Sequence, residues 1–219
     1  MNLGAIFDWD GVIIDSAKQH EASWERLAAE EKRPLPPDHF KQSFGRKNET
    51  IIPELFGWTR DPAEIRRMSL RKEAIYRELV VEQGTTPLPG VREFLQRLHE
   101  AGVPCAVGSS THRANIDTHI RITGIAPFFS AIVTAEDVTL GKPDPQVFLL
   151  AASQIAREPR RCLVFEDAFV GLQAARAGGM KAVAVASTNP AANLAPWADR
   201  VVNRLDELSI ADLRELVEQ

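Results

Sequence analysis

The distribution of apolar positions divides the chain into two kinds of segment. Short apolar runs occur at residues 3–7, 104–108, 131–134, 162–165, 182–185 and 200–202. Each is too short for a buried helix and ends in polar or small residues, the pattern of parallel strands covered on both faces. Between them lie segments with helical periodicity, at residues 91–101, 115–123, 145–155 and 169–177. Gly102, Gly124 and Gly178 stand where helix C-caps belong. Strands alternating with helices predict a doubly wound, Rossmann-like α/β fold with a parallel sheet.

One stretch departs from this rhythm. From about residue 16 to residue 86 the chain is rich in charge and helical periodicity and shows no strand pattern. It is expected to be an all-helical cap domain (16–86) inserted after the first strand of an α/β core made of residues 1–15 and 87–219. The edges, Asp15-Ser16 and Gly84-Thr85-Thr86-Pro87, have the composition of linkers and suit a lid that moves as a unit.

Composition then narrows the class. The chain has 219 residues, of which 44% are hydrophobic and 26% charged, so a globular core is affordable and disorder is excluded. The formal net charge of −4 comes without any long Lys/Arg block, which argues against a nucleic-acid partner. The sequence has no apolar run of membrane-spanning length and reaches Asp8 before a signal-type apolar segment forms, so no membrane association and a soluble, cytoplasmic monomer are expected. Cys105 and Cys162 fall in apolar runs and read as buried thiols in a reducing compartment, not as a disulfide.

In an open α/β sheet ligands bind beyond the carboxyl ends of the strands, so the residues after each run carry the candidate chemistry. The first run leads into Asp8-Trp9-Asp10-Gly11, where extended backbone points both carboxylates the same way and Gly11 permits a turn. The second leads into Ser109-Ser110-Thr111, the third into Gly141-Lys142-Pro143-Asp144-Pro145, and the fourth into Glu166-Asp167. Taken singly, Ser109 reads as a helix cap, Lys142-Pro143 as a plain loop and Glu166-Asp167 as a helix start with a favourable dipole. Together they gather four acids, hydroxyls and one lysine. Such a cluster repels itself unless a hard cation joins it, and the oxygen-only donor set suits Mg2+ and not zinc.

In order and spacing, Asp8-Trp9-Asp10-Gly11-Val12, the Ser109 run, Gly141-Lys142-Pro143 and Glu166-Asp167-Ala168 resemble the four motifs of the haloacid dehalogenase-like hydrolase superfamily. The helical insertion is similar to the cap of the branch containing β-phosphoglucomutase and many sugar-phosphate phosphatases. The resemblance implies that Asp8 attacks phosphorus to form an aspartyl-phosphate and that Asp10 protonates the leaving oxygen, then deprotonates water. It implies that Ser109 and Lys142 hold the phosphoryl oxygens, and that Asp8, Asp10 through its backbone oxygen, Glu166 and Asp167 hold Mg2+. Ser110 and Thr111, with His20, Arg46 and Lys72 of the cap, are the candidate substrate-binding residues, and Trp24 reads as core.

The presence of Asp10 argues against the dehalogenase and phosphonate-cleaving branches, which do without that aspartate. Two activities then remain. One is a phosphatase acting on a small phosphorylated metabolite such as a sugar phosphate; the other is a β-phosphoglucomutase-type phosphomutase using the same phosphoenzyme. His112-Arg113 stands where the mutases carry a Lys-Asn-like pair, which favours the phosphatase.

Overall fold

The computed structural model describes residues 2–43 and 46–218. The chain divides into two compact units, one formed by Met1–Asp15 and Thr86–Gln219 and the other by Ser16–Thr85.

In the first unit six parallel strands form one sheet: β1 (Gly4–Phe7), β2 (Cys105–Gly108), β3 (Phe129–Val133), β4 (Cys162–Glu166), β5 (Lys181–Val185) and β6 (Arg200–Val202), in the order β3-β2-β1-β4-β5-β6. The order reverses direction at β1, whose neighbours are β2 and β4. That reversal is the switch point at which open α/β sheets leave a crevice for ligands.

Alternation along the strands separates two apolar layers. Ala5, Phe7, Val107, Phe165 and Val183 face one layer, packed with Phe94 and Leu95 of the helix Val91–Glu100 and Leu213 of the helix Ile210–Glu218. Ile6, Ala106, Val164 and Ala182 face the other, packed with Phe148 of the helix Gln146–Gln154 and Leu172 of the helix Phe169–Ala177. A period of two in every strand therefore buries both faces of the sheet.

The architecture is the α/β fold expected from the sequence, with adjustments at element ends. β3 begins at Phe129, two residues before the apolar run expected to form it. It is an edge strand, and its first four residues are only partly buried or exposed, so its hydrophobic signature is not continuous. At the end of the helix Phe169–Ala177, Gly178 has φ −80° and the left-handed turn falls on Gly179, φ 70°. Gly178 is thus the C-cap, as expected, and the left-handed residue follows it. Cys105 and Cys162 are free and buried, and burial pushes their thiols up to about 12 and about 11.

Among its described residues the second unit contains helices and loops and no strand. Its long helices are Ala17–Glu31 and Pro62–Gln83. Asp61 caps the latter through the backbone amides of Ala63 and Glu64, with Pro62 at the first helical position. Trp24, Leu27, Ile52, Trp58, Met68 and Ile75 form its own apolar core. Among the described residues no helix is long and apolar enough to cross a membrane.

Candidate active site

The alternation that buries Phe7 on one face of the sheet turns Asp8 to the other, the face of Ile6, and the same parity carries Glu166 at the end of β4. Lys142 comes to that face from the loop preceding the helix Gln146–Gln154. Its ammonium donates to Asp8 Oδ1 at 2.8 Å and to Glu166 Oε1 at 2.7 Å, and lies 4.7 Å from the centre of the Phe148 ring. The bridge is largely enclosed: the Lys142 side chain is 5% exposed, that of Glu166 1% and that of Asp8 12%. Glu166 also accepts the Ala168 amide at 2.8 Å, so it serves the start of the following helix while facing Lys142.

Asp8, Glu166 and Asp167, all buried, present carboxylate oxygens within 4.8 Å of one another. Three carboxylates against one ammonium leave two negative charges uncompensated. The consequence appears in the proton affinities of Glu166 and Asp167. Burial, reinforced by the charges of Glu166 and Asp8, pushes Asp167 up to about 8, and burial raises Glu166 against the opposing pull of Lys142. Burial also works against the charge of Lys142, but Asp8 and Glu166 outweigh it and hold the ammonium above its ordinary range. The arrangement fits a divalent, oxygen-seeking cation, since Asp8, Glu166 and Asp167 could supply ligands whose excess charge it would cancel.

Two glycines make this closeness possible. Gly11 sits at φ 78° in the turn after β1, where the Trp9 carbonyl accepts the amides of Ile13 and Ile14, and a Cβ there would collide with the Asp167 carboxylate. Gly171, in the first turns of the helix after β4, leaves the space that the Glu166 carboxylate fills.

Around this centre Thr111 donates to Asp10 Oδ2, holding the second aspartate of the turn to the loop after β2. Ser109 is buried and its Oγ accepts the Thr111 amide at 3.2 Å, a local turn; the helix that follows is capped at His112, so Ser109 is not its N-cap. Ser110 is exposed beside it. His112 pairs with Glu136 at 2.9 Å.

The structure therefore brings Asp8, Asp10, Ser109, Thr111, Lys142, Glu166 and Asp167 to the carboxyl ends of β1, β2 and β4 and the loop after β3. The other three candidates belong to the helical unit. Lys72 is buried, 2.7 Å from His20 Nδ1 and 3.0 Å from Glu73 Oε1, with the rings of Trp24 and Tyr76 each 5.5 Å away. His20 stacks on Tyr76 at 4.1 Å, and Asn48 donates to Glu73 at 2.8 Å. Arg46 instead forms an exposed ion pair with Glu54 at 3.1 Å.

Sequence reasoning passed over the loop after β5. There Thr188 donates to Asp167 Oδ2, Asn189 donates to the Asp167 backbone oxygen at 3.0 Å, and Ser187 donates to the Gly11 backbone oxygen. The signal was available: Ser187-Thr188-Asn189 follows the fifth apolar run just as the other motifs follow theirs.

The family model for haloacid dehalogenase-like hydrolases matches residues 4–179, and the chain belongs to that family. It is 43% identical over 219 residues to the chloroplastic 5-amino-6-(5-phospho-D-ribitylamino)uracil phosphatase of Arabidopsis thaliana, covering 99% of this chain and 58% of that protein. The chain thus spans little more than half the length of that relative. It is 32% identical over 222 residues to the β-phosphoglucomutase of Bacillus subtilis, covering 98% of this chain and 95% of the other. Among solved structures, a family IA, variant 3 hydrolase from Entamoeba histolytica superposes with a TM-score of 0.90 at 22% identity, covering 99% of this chain and all of that one, a likeness of fold.

Proposed function

We propose that the chain is a Mg2+-dependent phosphatase that transfers the phosphoryl group of a small phosphorylated metabolite to Asp8 and then to water. The observation that carries this reading is the buried cluster of Asp8, Glu166 and Asp167 bridged by Lys142 at the switch point of the sheet. Family membership and the 43% identity to a named phosphatase support it.

The first step is attack by an Asp8 carboxylate oxygen on phosphorus. The bond from phosphorus to the ester oxygen breaks, and that oxygen takes a proton from Asp10. In the second, Asp10 accepts a proton from water as the water oxygen bonds to phosphorus, and the bond from phosphorus to Asp8 breaks. Thr111 fixes the Asp10 carboxyl for both transfers. Lys142 and Ser109 hold phosphoryl oxygens, whose charge is spread in a loose transition state. Bound Mg2+, held by Asp8, Glu166, Asp167 and the backbone oxygen of Asp10, would neutralise the repulsion between carboxylates and phosphate.

For the substrate we propose a primary phosphate ester on a sugar or open polyol chain, the class to which the phosphoribityl compound named for the Arabidopsis relative belongs. Lys72 and His20 of the helical unit are proposed to contribute to its choice; Arg46, tied to Glu54 at the surface, has less to support it. The test is phosphate release from 5-amino-6-(5-phospho-D-ribitylamino)uracil and a set of sugar phosphates, with and without Mg2+. Continuous release that stops in excess chelator is expected, and undiminished release in chelator would overturn the metal requirement.

Similarity to β-phosphoglucomutase favours a second reading. β-Glucose 1-phosphate would then yield glucose 6-phosphate, primed by a bisphosphate, about a hundredfold faster than free phosphate appears. Phosphate release outrunning isomer formation is the expected result.

Proton and metal compete for the same carboxylates. With Asp167 raised to about 8, the charged form is disfavoured in the cation-free fold, so that protein loses stability as pH rises from the ordinary Asp value through about 8. Mg2+ affinity should move the opposite way, strengthening up to about tenfold per pH unit between about pH 6 and pH 8 and levelling above. Calorimetric titration with MgCl2 across that range reads it directly. An affinity independent of pH would show that no proton leaves on binding.

A further inference from the structure

We propose that Thr188 is a positioning residue for the metal centre: its hydroxyl sets the orientation of the Asp167 carboxylate. This rests on the reading of Asp8, Glu166 and Asp167 as Mg2+ ligands. It goes beyond that reading by assigning a role to a fifth strand-end loop.

The observation is a directed chain of hydrogen bonds. Asn189 Nδ2 donates to Thr188 Oγ1 at 3.3 Å, and Thr188 Oγ1 donates to Asp167 Oδ2. Because Asn189 Nδ2 can only donate, the Thr188 oxygen accepts from it and the hydroxyl proton is left for Asp167. Asn189 also donates to the Asp167 backbone oxygen at 3.0 Å, so one side chain steadies the main chain of Asp167 and the hydroxyl that holds its carboxylate. The Thr188 oxygen lies 3.4 Å from that same backbone oxygen, which keeps the loop close to the end of β4.

The same carboxylate oxygen also meets Gly11. A Cβ at Gly11 would touch both Asp167 Oδ2 and, at 3.0 Å, the Thr188 methyl carbon. The Asp167 carboxylate thus packs against both the turn that carries Asp8 and Asp10 and the loop that carries Thr188. Ser187 closes the circuit by donating to the Gly11 backbone oxygen. One three-residue segment, Ser187-Thr188-Asn189, is therefore bonded both to the turn after β1 and to the acid after β4.

A carboxylate with one oxygen held in this way cannot rotate freely, and its remaining lone pairs keep a fixed direction. Groups that orient a ligand without touching the metal typically contribute a 10–100-fold effect on metal affinity. Thr188 itself is exposed, so replacing it does not open a cavity in the core.

The experiment is calorimetric titration with MgCl2 alone, without substrate, on the full chain and three variants. Thr188→Val keeps the shape and removes the donor; Mg2+ affinity should fall about 10–100-fold. Thr188→Ser should restore it to near the wild-type value. Asn189→Ala, which removes the polarising donor and the backbone tie, should weaken it by a smaller factor. Thermal midpoints in excess chelator should fall only slightly for Thr188→Val, since the lost bond to Asp167 is present in the cation-free fold too, and the fall in Mg2+ affinity should exceed what that loss explains. Wild-type affinity retained by Thr188→Val would overturn the inference, as would a lower midpoint in chelator with unchanged Mg2+ affinity, the signature of a loop tie alone. If the wild type itself takes up no Mg2+, the metal reading fails and takes the inference with it.

Discussion

Replacing Asp8 by Asn should remove turnover and leave the sheet intact. Asp8 lies one residue beyond β1, its amide donates to the Phe165 carbonyl at 3.0 Å, and an amide side chain of nearly equal volume preserves that packing. What the substitution removes is the negatively charged oxygen that can bond to phosphorus, and one oxygen with charge to offer a cation. The reaction then has no covalent route, and kcat should fall by at least about a thousandfold, equivalent to about 4 kcal/mol of barrier. Steady-state phosphate release measured beside the circular dichroism spectrum separates loss of chemistry from loss of fold. A variant retaining a tenth of the activity would remove Asp8 from the nucleophile role.

The second large effect is on stability. Lys142 is the cation that separates Asp8 from Glu166, and its side chain is almost fully enclosed. Lys142→Met keeps an unbranched side chain of similar length and deletes the ammonium that lies over Phe148. Two carboxylates, with Asp167 beside them, then face one another with no counter-charge. Breaking a buried ion pair by removing one partner costs about 3–5 kcal/mol, because the remaining charge stays desolvated. Denaturant unfolding in chelator should show a loss of that order, and saturating Mg2+ should recover part of it by supplying positive charge to the same acids. Turnover should not recover with it, since the phosphoryl oxygens would still lack the lysine. A loss below about 1 kcal/mol in chelator would mean that Asp8 and Glu166 simply protonate and that Lys142 has little part in holding the site together.

These two expectations come from features of different visibility in the sequence. The strands could be read because a parallel sheet covered on both faces demands short, continuous apolar runs, and β1, β2, β4 and β5 obey that demand with every residue or nearly every residue buried. β3 was read short because an edge strand is relieved of the same demand: Phe129 and Ser130 are not fully enclosed, so nothing in their hydropathy marks the start. The candidate site could be nominated residue type by residue type, because four successive strand ends carry acids, hydroxyls or a lysine. Its interactions could not. That Lys142 bridges Asp8 and Glu166 depends on the parity of two strands and the path of a loop, and the contact spans 134 residues of chain in one case and 24 in the other.

The same limit explains the loop after β5. Ser, Thr and Asn are ordinary turn residues, and a run of them after an apolar segment reads as a turn. Only the fold reveals that Thr188 and Asn189 reach back more than twenty residues to Asp167, and that Ser187 reaches Gly11. In the helical unit the sequence offers His20 and Lys72 as separate candidates, 52 residues apart. Their mutual contact, and the burial of Lys72 beside Glu73 and Asn48, followed from the packing of the helices Ala17–Glu31 and Pro62–Gln83. The sequence could not distinguish that enclosed lysine from the exposed Arg46, since both are cations in helical, charge-rich surroundings.

The central claim is the covalent step, and it can be observed without knowing the physiological substrate. Enzyme mixed with Mg2+ and any phosphate monoester it hydrolyses is quenched in acid within the first turnovers, digested under acidic conditions, and its peptides are weighed. One phosphoryl group is expected on the peptide that contains Asp8, present in the wild type and absent from Asp8→Asn; with an aryl phosphate, whose leaving group needs no proton, it should accumulate when Asp10→Asn slows its transfer to water. Phosphate released at the full rate with no phosphoryl group on the Asp8 peptide at any time point would contradict it.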